Sequence, residues 1–225
     1  MATVEVVSDV ICPWCFIGKR RLEKALALLG REDTQVRWKP FQLNPTTPKE
    51  GLDRQEYRIR KFGSAAVSKQ LEDRVAAAGA GEGIHFRFDD IKRTPNTFDA
   101  HRLIWLAGEQ GDQNTLVEHL FEAYFLNGED IGAPEILVRI AGESGVEFPT
   151  LDTGRQQVTV EEENARRQGV SGVPSFFVNG NAITSGAHPT LSLTSTGRPQ
   201  ARDSLTANPQ VSPYADGSTT RSAKR

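Results

Sequence analysis

The sequence lacks the features that mark membrane, secreted or nucleic-acid-binding proteins. No apolar run approaches the ~18 residues that a membrane span requires. The formal net charge is −2, without the basic excess expected of a nucleic-acid-binding chain. The start, Met1-Ala2-Thr3, has no basic segment and no apolar h-region, so we recognise no secretory signal. These absences predict a protein of the reducing cytoplasm, where a cysteine pair is more often catalytic than structural.

Cysteine is also scarce, and the 2 that occur lie together in Cys12-Pro13-Trp14-Cys15. One interpretation of such a pair is half of a zinc site, but a structural zinc ion needs four ligands. The remaining candidates show no H-x3–5-H spacing: His85, His101, His119 and His188. We therefore predict no metal site and favour a redox-active pair.

The cysteine pair lies between a predicted strand and a predicted helix. Val4–Val7 is a β-branched run typical of a buried strand, and apolar residues at helical spacing follow as far as Leu29. Pro13 is tolerated in a first helical turn, which places Cys12 just outside the helix N-terminus. Free N–H groups and the positive dipole end favour an anionic sulfur there. Cys15, one turn later on the same face, can resolve a mixed disulfide.

Two further segments predict the rest of a central sheet. Gln35–Phe41 alternates apolar and polar residues, and a βαβ unit would place it parallel to the first strand. Ser175–Val178 is strand-like, Asn179-Gly180 is a strong hairpin turn, and Ala182–Thr184 begins a return strand. The sheet is therefore expected to end in an antiparallel hairpin.

Between these strands, residues 51–145 change to helical periodicity and predict an all-helical block large enough to bury its own core. Helical spacing of the aromatic residues favours packing over a ligand cage: Phe98, Trp105, Phe121, Tyr124 and Phe125. His101 and His119 are candidate functional residues, although a partly buried, hydrogen-bonded helix histidine is the simpler interpretation. Thr150–Gln168 predicts one more helix, with a solvated Glu/Arg face.

Four segments together resemble the thioredoxin superfamily, and most closely its DsbA-like branch of the FrnE and 2-hydroxychromene-2-carboxylate isomerase type. They are Ser8–Gly18, Phe41–Pro45, Pro95–Arg102 and Gly169–Pro174, and the resemblance covers about residues 2–187. It implies an α/β, thioredoxin-like fold with an inserted all-helical domain. In that arrangement residues 1–48 and 146–187 form the thioredoxin-like domain, and residues 49–145 form the insert.

The resemblance also implies roles for individual residues. Cys12 would be the nucleophile, Cys15 the resolving thiol, and Val173–Pro174 a cis peptide in the loop that faces the substrate. Most X–Pro bonds are trans, so the residues alone do not favour cis over trans for this bond. The family resemblance is what favours cis. Without an N–H on Pro174, the backbone of Val173 is free to pair with an extended substrate. The other predicted substrate-binding residues lie in the matching segments: Pro13, Trp14, Asn44, Asn96 and His101.

Three functions remain to be distinguished. Isomerase and kappa glutathione-transferase relatives use glutathione and usually carry serine at the first motif position. This chain keeps both thiols, which favours an oxidoreductase exchanging disulfides with protein or small-thiol substrates. A glutathione-dependent isomerase or transferase is the alternative, and a chaperone-like binder is the third.

Several partner and cofactor expectations accompany that choice. We expect no cofactor beyond the Cys12–Cys15 pair itself, with glutathione left open. A homodimer is compatible with the sequence. In a reducing compartment, reduction or isomerisation of clients is favoured over their net oxidation. We expect the helical block to set the substrate class through apolar residues near the motif, such as Phe16, Phe98 and Trp105.

The tail after Ala187 departs from the family pattern. Relatives continue with an amphipathic helix, whereas residues 188–225 are rich in Ser, Thr, Pro and Gly and have no helical periodicity. Such a segment cannot bury enough apolar surface to offset its ordering entropy, which predicts disorder. We interpret the tail as a lost normal ending, of the kind that a shifted reading frame produces.

Overall fold

The computed structural model describes residues 3–147 and 153–188. Within them the elements in chain order are β1 (Thr3–Ser8), α1 (Pro13–Leu28), β2 (Gln35–Pro40), β3 (Leu52–Asp53), α2 (Arg54–Phe62), α3 (Ala65–Ala80), β4 (Arg93–Thr94), α4 (Phe98–Gln110), α5 (Gln113–Phe125), α6 (Pro134–Glu143), α7 (Arg155–Arg167), β5 (Ser175–Val178) and β6 (Asn181–Ser185). A 3-10 turn at Phe88–Asp90 precedes β4. None of the helices in these ranges has the length and apolar character needed to cross a membrane.

The main sheet has four strands in the order β2-β1-β5-β6. Strand β1 pairs in parallel with β2 and antiparallel with β5, and β5 pairs antiparallel with β6. The predicted βαβ unit and closing hairpin are therefore confirmed. Asn179 and Gly180 have φ values of 49° and 78°, the positive values that a tight two-residue hairpin turn requires.

Five helices, α2 to α6, occupy the chain between β2 and α7. The prediction of an all-helical segment needs one correction, because β3 pairs antiparallel with β4 as a separate two-stranded sheet. Each of these strands has two residues, which is too short to give a recognisable alternation. The segment Ile84–Arg87 is a connection without regular secondary structure. Helix α7 confirms most of the helix that the sequence predicted over residues 150–168. Residues 150–152 of that prediction lie outside the described ranges.

A continuous core joins α1 to the helical segment. Phe16 is fully buried and stacks on Phe121 of α5, with ring centroids 5.0 Å apart. Phe86 meets Phe16 edge-on at 6.1 Å, and Phe125 lies 6.3 Å from it. The prediction that Phe121, Tyr124 and Phe125 are core residues is confirmed. Phe16 was expected near substrate but is an internal packing residue, because its helix presents it to α5.

An ion-pair cluster adds to the contact between α1 and α5. Lys19, which is buried, lies 2.7 Å from a carboxylate oxygen of Glu118, and Arg20 binds the same carboxylate. Burial alone would raise the pKa of Glu118, but the hydrogen bonds from Arg20 and Lys19 hold it below its ordinary value. Glu23 completes the cluster from the exposed side of α1.

The predicted domain boundaries at residues 48/49 and 145/146 stay a prediction. The tail predicted to be disordered, apart from His188, lies outside the described residues.

Candidate active site

Cys12 is the N-cap residue of α1, as the sequence predicted. Its backbone is extended (φ −93°, ψ 111°), and Pro13 follows at the first helical position. The Cys12 N–H donates to the carbonyl of Asp9 at 3.0 Å, which fixes the turn between β1 and α1. Its side chain is fully buried, and its thiol donates to the carbonyl oxygen of Val173 at 3.7 Å.

Cys15 lies one turn further along α1 and is also fully buried. The two cysteines are free thiols that lie 3.6 Å apart. Burial raises the pKa of the Cys15 thiol well above its ordinary value. The hydrogen bond to Cys12 and the electrostatic repulsion from Cys12 raise the pKa of Cys15 further. The Ser8 hydroxyl and the backbone of Asp9 act in the opposite direction, with smaller effect. Cys15 is therefore a protonated thiol at neutral pH.

The peptide bond between Val173 and Pro174 is cis, as the family resemblance implied. Both residues are buried, and this loop supplies the carbonyl that Cys12 contacts. Helix α1 approaches the loop closely at Gly18: a Cβ there would lie 3.0 Å from Pro174 Cγ and 3.2 Å from Phe176 Cζ. The absence of a side chain at Gly18 thus allows the cysteine helix to pack directly on the cis-proline loop.

Asp9 is a buried residue of the site, and the sequence analysis did not predict a functional role for it. It is 0% exposed, and its Oδ2 accepts a hydrogen bond from the Leu43 N–H at 2.8 Å. Its Oδ1 lies 3.4 Å from His101 Nε2. The available signal was a charged residue among apolar ones directly before the cysteine motif, since aspartate is almost never fully buried without a partner.

His101 was predicted to contact substrate, yet it lies in α4 at 2% exposure against Asp9. The simpler interpretation of a helix histidine packed inside the fold agrees with this burial, but its Nε2 has no hydrogen bond of standard geometry among the described residues. A direct substrate contact by His101 stays a prediction. The ring lies beside the Asp9 carboxylate, close to the cysteine turn.

A second buried carboxylate lies nearby on α7. Glu162 accepts hydrogen bonds from the backbone N–H of Gln42 at 2.9 Å and from its side-chain amide at 2.8 Å. Arg166 donates to the same carboxylate at 2.7 Å. Burial would raise the pKa of Glu162, but these hydrogen bonds hold it below its ordinary value. The contact ties α7 to the segment that follows β2.

Asn44 and Asn96 make hydrogen bonds to other segments of the fold, and the structure shows no contact of either side chain with the two thiols among the described residues. The Asn44 side-chain oxygen accepts from Tyr57 Oη at 2.6 Å and from Lys61 Nζ at 3.2 Å. The Asn96 side-chain amide donates to the Thr47 carbonyl at 2.6 Å. Substrate binding by either asparagine stays a prediction.

The other two predicted residues, Pro13 and Trp14, lie between the two cysteines in the first turn of α1. Pro13 is buried, and Trp14 is half-buried and packs against the core. The structure thus brings Cys12, Cys15 and the Val173–Pro174 loop into one site, with Trp14 beside it. Within the described ranges, no group of three or more His, Cys, Asp or Glu side chains is arranged to hold a metal ion.

The fold and the site define a thioredoxin-like protein. They combine a βαβ unit, a closing hairpin, a cysteine pair at the start of the first helix and an adjacent cis-proline. Residues 3–195 match the family described as DSBA-like thioredoxin domain. The chain belongs to this family.

Two relatives cover most of the chain. The crystal structure of a probable DsbA oxidoreductase from Streptomyces coelicolor is 28% identical, with a TM-score of 0.80, and the match covers 94% of this chain and 98% of that one. An uncharacterized protein, YwbO, from Bacillus subtilis is 24% identical over 193 residues, which is 82% of this chain and 90% of that protein.

The isomerase side of the resemblance is found at the level of the fold. A 2-hydroxychromene-2-carboxylate isomerase structure has a TM-score of 0.58 and 14% identity, covering 80% of this chain and 87% of that one. The predicted resemblance to a DsbA-like, isomerase-related thioredoxin fold is therefore confirmed.

Proposed function

We propose that the protein is a thiol–disulfide oxidoreductase that acts through Cys12 and Cys15. Family membership and the similarity to a probable DsbA oxidoreductase support an enzyme of this general kind. The observation that carries the specific proposal is the pair of free thiols, 3.6 Å apart at the start of α1, beside the Val173–Pro174 loop. A short approach to about 2.05 Å would join the two sulfurs in a disulfide.

The proposed reaction has two exchange steps. The Cys12 thiolate attacks a substrate disulfide, a mixed disulfide forms, and one substrate sulfur leaves as a thiolate. Cys15 then loses its proton and attacks the Cys12 sulfur, and the second substrate sulfur leaves. The substrate disulfide gains two electrons and becomes two thiols, while Cys12 and Cys15 become a disulfide. Run in reverse, the same steps oxidise a substrate dithiol.

Substrates of this reaction are protein or small-molecule thiols and disulfides. An extended substrate would pair with the Val173 backbone as an added strand, replacing the Cys12 thiol that its carbonyl now accepts. We propose a cytoplasmic location, on the scarcity of cysteine. In that compartment reduction or isomerisation of disulfides is the favoured direction.

Insulin reduction in the presence of dithiothreitol tests the proposal. We expect the wild-type protein to accelerate the precipitation of insulin chains and Cys12→Ser to lose this activity while keeping its melting temperature. Equal rates for the two proteins would contradict the proposal. Tight glutathione binding, with a glutathione-dependent activity retained in Cys15→Ser, would favour the isomerase or transferase alternative instead.

A further inference from the structure

The cis-proline loop continues directly from the C-terminal end of α7. Gly169, with φ at 87°, follows the last turn of the helix. Its N–H donates to the Arg166 carbonyl at 3.0 Å, and the N–H of Val170 donates to the Ala165 carbonyl at 3.1 Å. These two hydrogen bonds, with a glycine at positive φ, form a Schellman motif. The motif joins the helix to the loop, so a movement of this end of α7 carries the cis-proline loop with it.

The C-terminal half of α7 is held mainly by one buried carboxylate. Of the 13 residues in the helix, the buried ones are Val158, Glu162 and Ala165, so this half contributes little apolar surface to the core. One oxygen of Glu162 accepts the Gln42 backbone N–H at 2.9 Å, and the other accepts the Gln42 side-chain amide at 2.8 Å. Arg166 donates to Glu162 at 2.7 Å and to the Gln42 carbonyl at 2.8 Å. We call these contacts of Glu162 and Arg166 with Gln42 the α7 clamp.

The α7 clamp is attached to a segment that also supports the cysteine turn. The Leu43 N–H, one residue after Gln42, donates to the Asp9 carboxylate at 2.8 Å. The ring of Phe41, one residue before Gln42, is buried, and its centroid lies 4.2 Å from the guanidinium carbon of Arg166. Both neighbours of Gln42 are therefore fixed, and the clamp holds α7 against a rigid part of the fold.

Cys12 cannot meet a substrate in the arrangement that the structure shows. Its side chain is fully buried, and its thiol donates to the Val173 carbonyl at 3.7 Å. A substrate sulfur has to reach the Cys12 sulfur in the first exchange step, so the cover has to withdraw. Cys12 follows β1, which lies inside the four-stranded sheet, and its N–H is bonded to Asp9. Displacing the loop together with the end of α7 leaves that sheet intact, whereas displacing the cysteine turn disturbs it.

We propose that Glu162 and Arg166 are positioning residues that hold the cis-proline loop over Cys12, and that release of the α7 clamp gives a substrate disulfide access to the Cys12 sulfur. This inference rests on the proposed function and adds the contact that controls its first step. While the clamp is closed, the Val173 carbonyl keeps the thiol and substrate is excluded. Once the clamp is released, the end of α7 and the loop withdraw together, and the sulfur is exposed.

Alkylation of Cys12 tests the proposal without requiring any disulfide exchange. All proteins carry Cys15→Ser, so that Cys12 is the single thiol, and its rate of reaction with iodoacetamide is measured over a pH series. The plateau of the rate at high pH reports access to the sulfur, and the midpoint reports its ionisation. Glu162→Gln leaves one acceptor oxygen where the clamp uses two. We expect a plateau about tenfold higher and an unchanged midpoint, since a hydrogen bond to a charged group is worth about that factor.

Two controls separate the clamp from its surroundings. Glu163→Gln is the same change at the next residue, which is exposed. Glu72→Gln changes a carboxylate that pairs with Arg54 and Arg58 between α2 and α3, and its side chain is 12% exposed against 9% for Glu162. Both controls should leave the plateau unchanged. A plateau that does not rise in Glu162→Gln, or that rises equally in Glu72→Gln, would overturn the proposal, and so would a shifted midpoint with a constant plateau.

Arg166→Met and Arg167→Met keep the proposal testable if Glu162→Gln does not fold, because both arginines are exposed. Arg166→Met removes the donor to the Gln42 carbonyl and should raise the plateau several-fold above that of Arg167→Met. Equal plateaus in these two proteins would contradict the role of the clamp. If the wild-type protein does not reduce insulin, the proposed function fails and the alkylation result still stands. Unchanged alkylation in a protein that does reduce insulin refutes this inference alone.

Discussion

Oδ1 of Asp9 lies 3.4 Å from Nε2 of His101, and both side chains are buried, at 0% and 2% exposure. The same carboxylate accepts the Leu43 N–H, and the Asp9 carbonyl accepts the N–H of Cys12. One residue therefore ties together the turn that carries the cysteine pair, the segment after β2, and α4. Buried polar groups of this kind are costly when a partner is removed.

Replacing Asp9 should destabilise the protein strongly. Asp9→Ala leaves the Leu43 N–H and His101 without their partner, and we expect a loss of about 3 kcal/mol in the free energy of unfolding. Urea unfolding followed by circular dichroism measures it. Asp73→Ala is the control, because Asp73 is exposed and its ion pair is with Lys69 on the surface of α3. A loss no larger than that of the control would show that Asp9 does not hold these segments together.

Removing the resolving thiol should trap the substrate. In Cys15→Ser the Cys12 sulfur still attacks a disulfide, but no second thiol is present to release the product. After incubation with a glutathione-capped or protein disulfide, mass spectrometry should find a stable adduct at Cys12. Wild-type protein under the same conditions should show the Cys12–Cys15 disulfide instead. Equal adduct yields in the two proteins would mean that Cys15 takes no part in resolution.

Adding a methyl group at Gly18 should disturb the contact between α1 and the cis-proline loop. The new Cβ would meet Pro174 Cγ at 3.0 Å and Phe176 Cζ at 3.2 Å. We expect Gly18→Ala to reduce stability by about 1–3 kcal/mol through overpacking and to slow insulin reduction. Gly142→Ala is the matched control, since this helical glycine has nothing within 4 Å of the added carbon. The control should be neutral or more stable by about 0.5–1 kcal/mol; the same result for Gly18→Ala would show that the close approach is not required.

Glu118 should contribute stability that depends on pH. Its pKa is lowered in the folded protein by Arg20 and Lys19 against the effect of burial. A lowered pKa means that the contribution is complete above the carboxyl's unfolded value, about 4.3, and is lost as pH falls through the folded value. Glu118→Gln should therefore lower the free energy of unfolding at pH 7 by about 2 kcal/mol, because it leaves the buried Lys19 partly uncompensated.

The difference between wild type and Glu118→Gln should narrow as pH falls below 4. Glu23→Gln provides the comparison, because the Glu23 side chain is 45% exposed and that of Glu118 is 18% exposed. Urea unfolding at several pH values should give a smaller loss for Glu23→Gln. A Glu118→Gln loss that stays constant from pH 7 to pH 3 would indicate a packing effect rather than a charge effect.

The sequence was sufficient for the elements that local patterns determine. Val4–Val7 and Gln35–Phe41 gave two parallel strands, Asn179-Gly180 gave the hairpin, and Pro13 placed Cys12 at the head of α1. Each of these depends on periodicity or on backbone preferences of neighbouring residues.

Contacts between distant segments could not be obtained in this way. The groups beside the Asp9 carboxylate come from the segment after β2 and from α4, and no local sequence pattern predicts these contacts. Helical spacing showed that Phe16 is on an apolar face, but not that the face packs against Phe121 instead of substrate. The sequence motif identified Asn44 as a candidate residue. Its hydrogen bond to Tyr57 could not be predicted, because that contact depends on where α2 packs.

The enclosure of Cys12 has a consequence for how the protein meets other molecules. Its sulfur has no accessible surface and lies against the Val173 carbonyl. Bulk oxidants and passing thiols cannot collide with it directly, so the loop or the adjoining helix must first move aside. The frequency of that opening sets an upper limit on every encounter at this sulfur, whichever partner arrives.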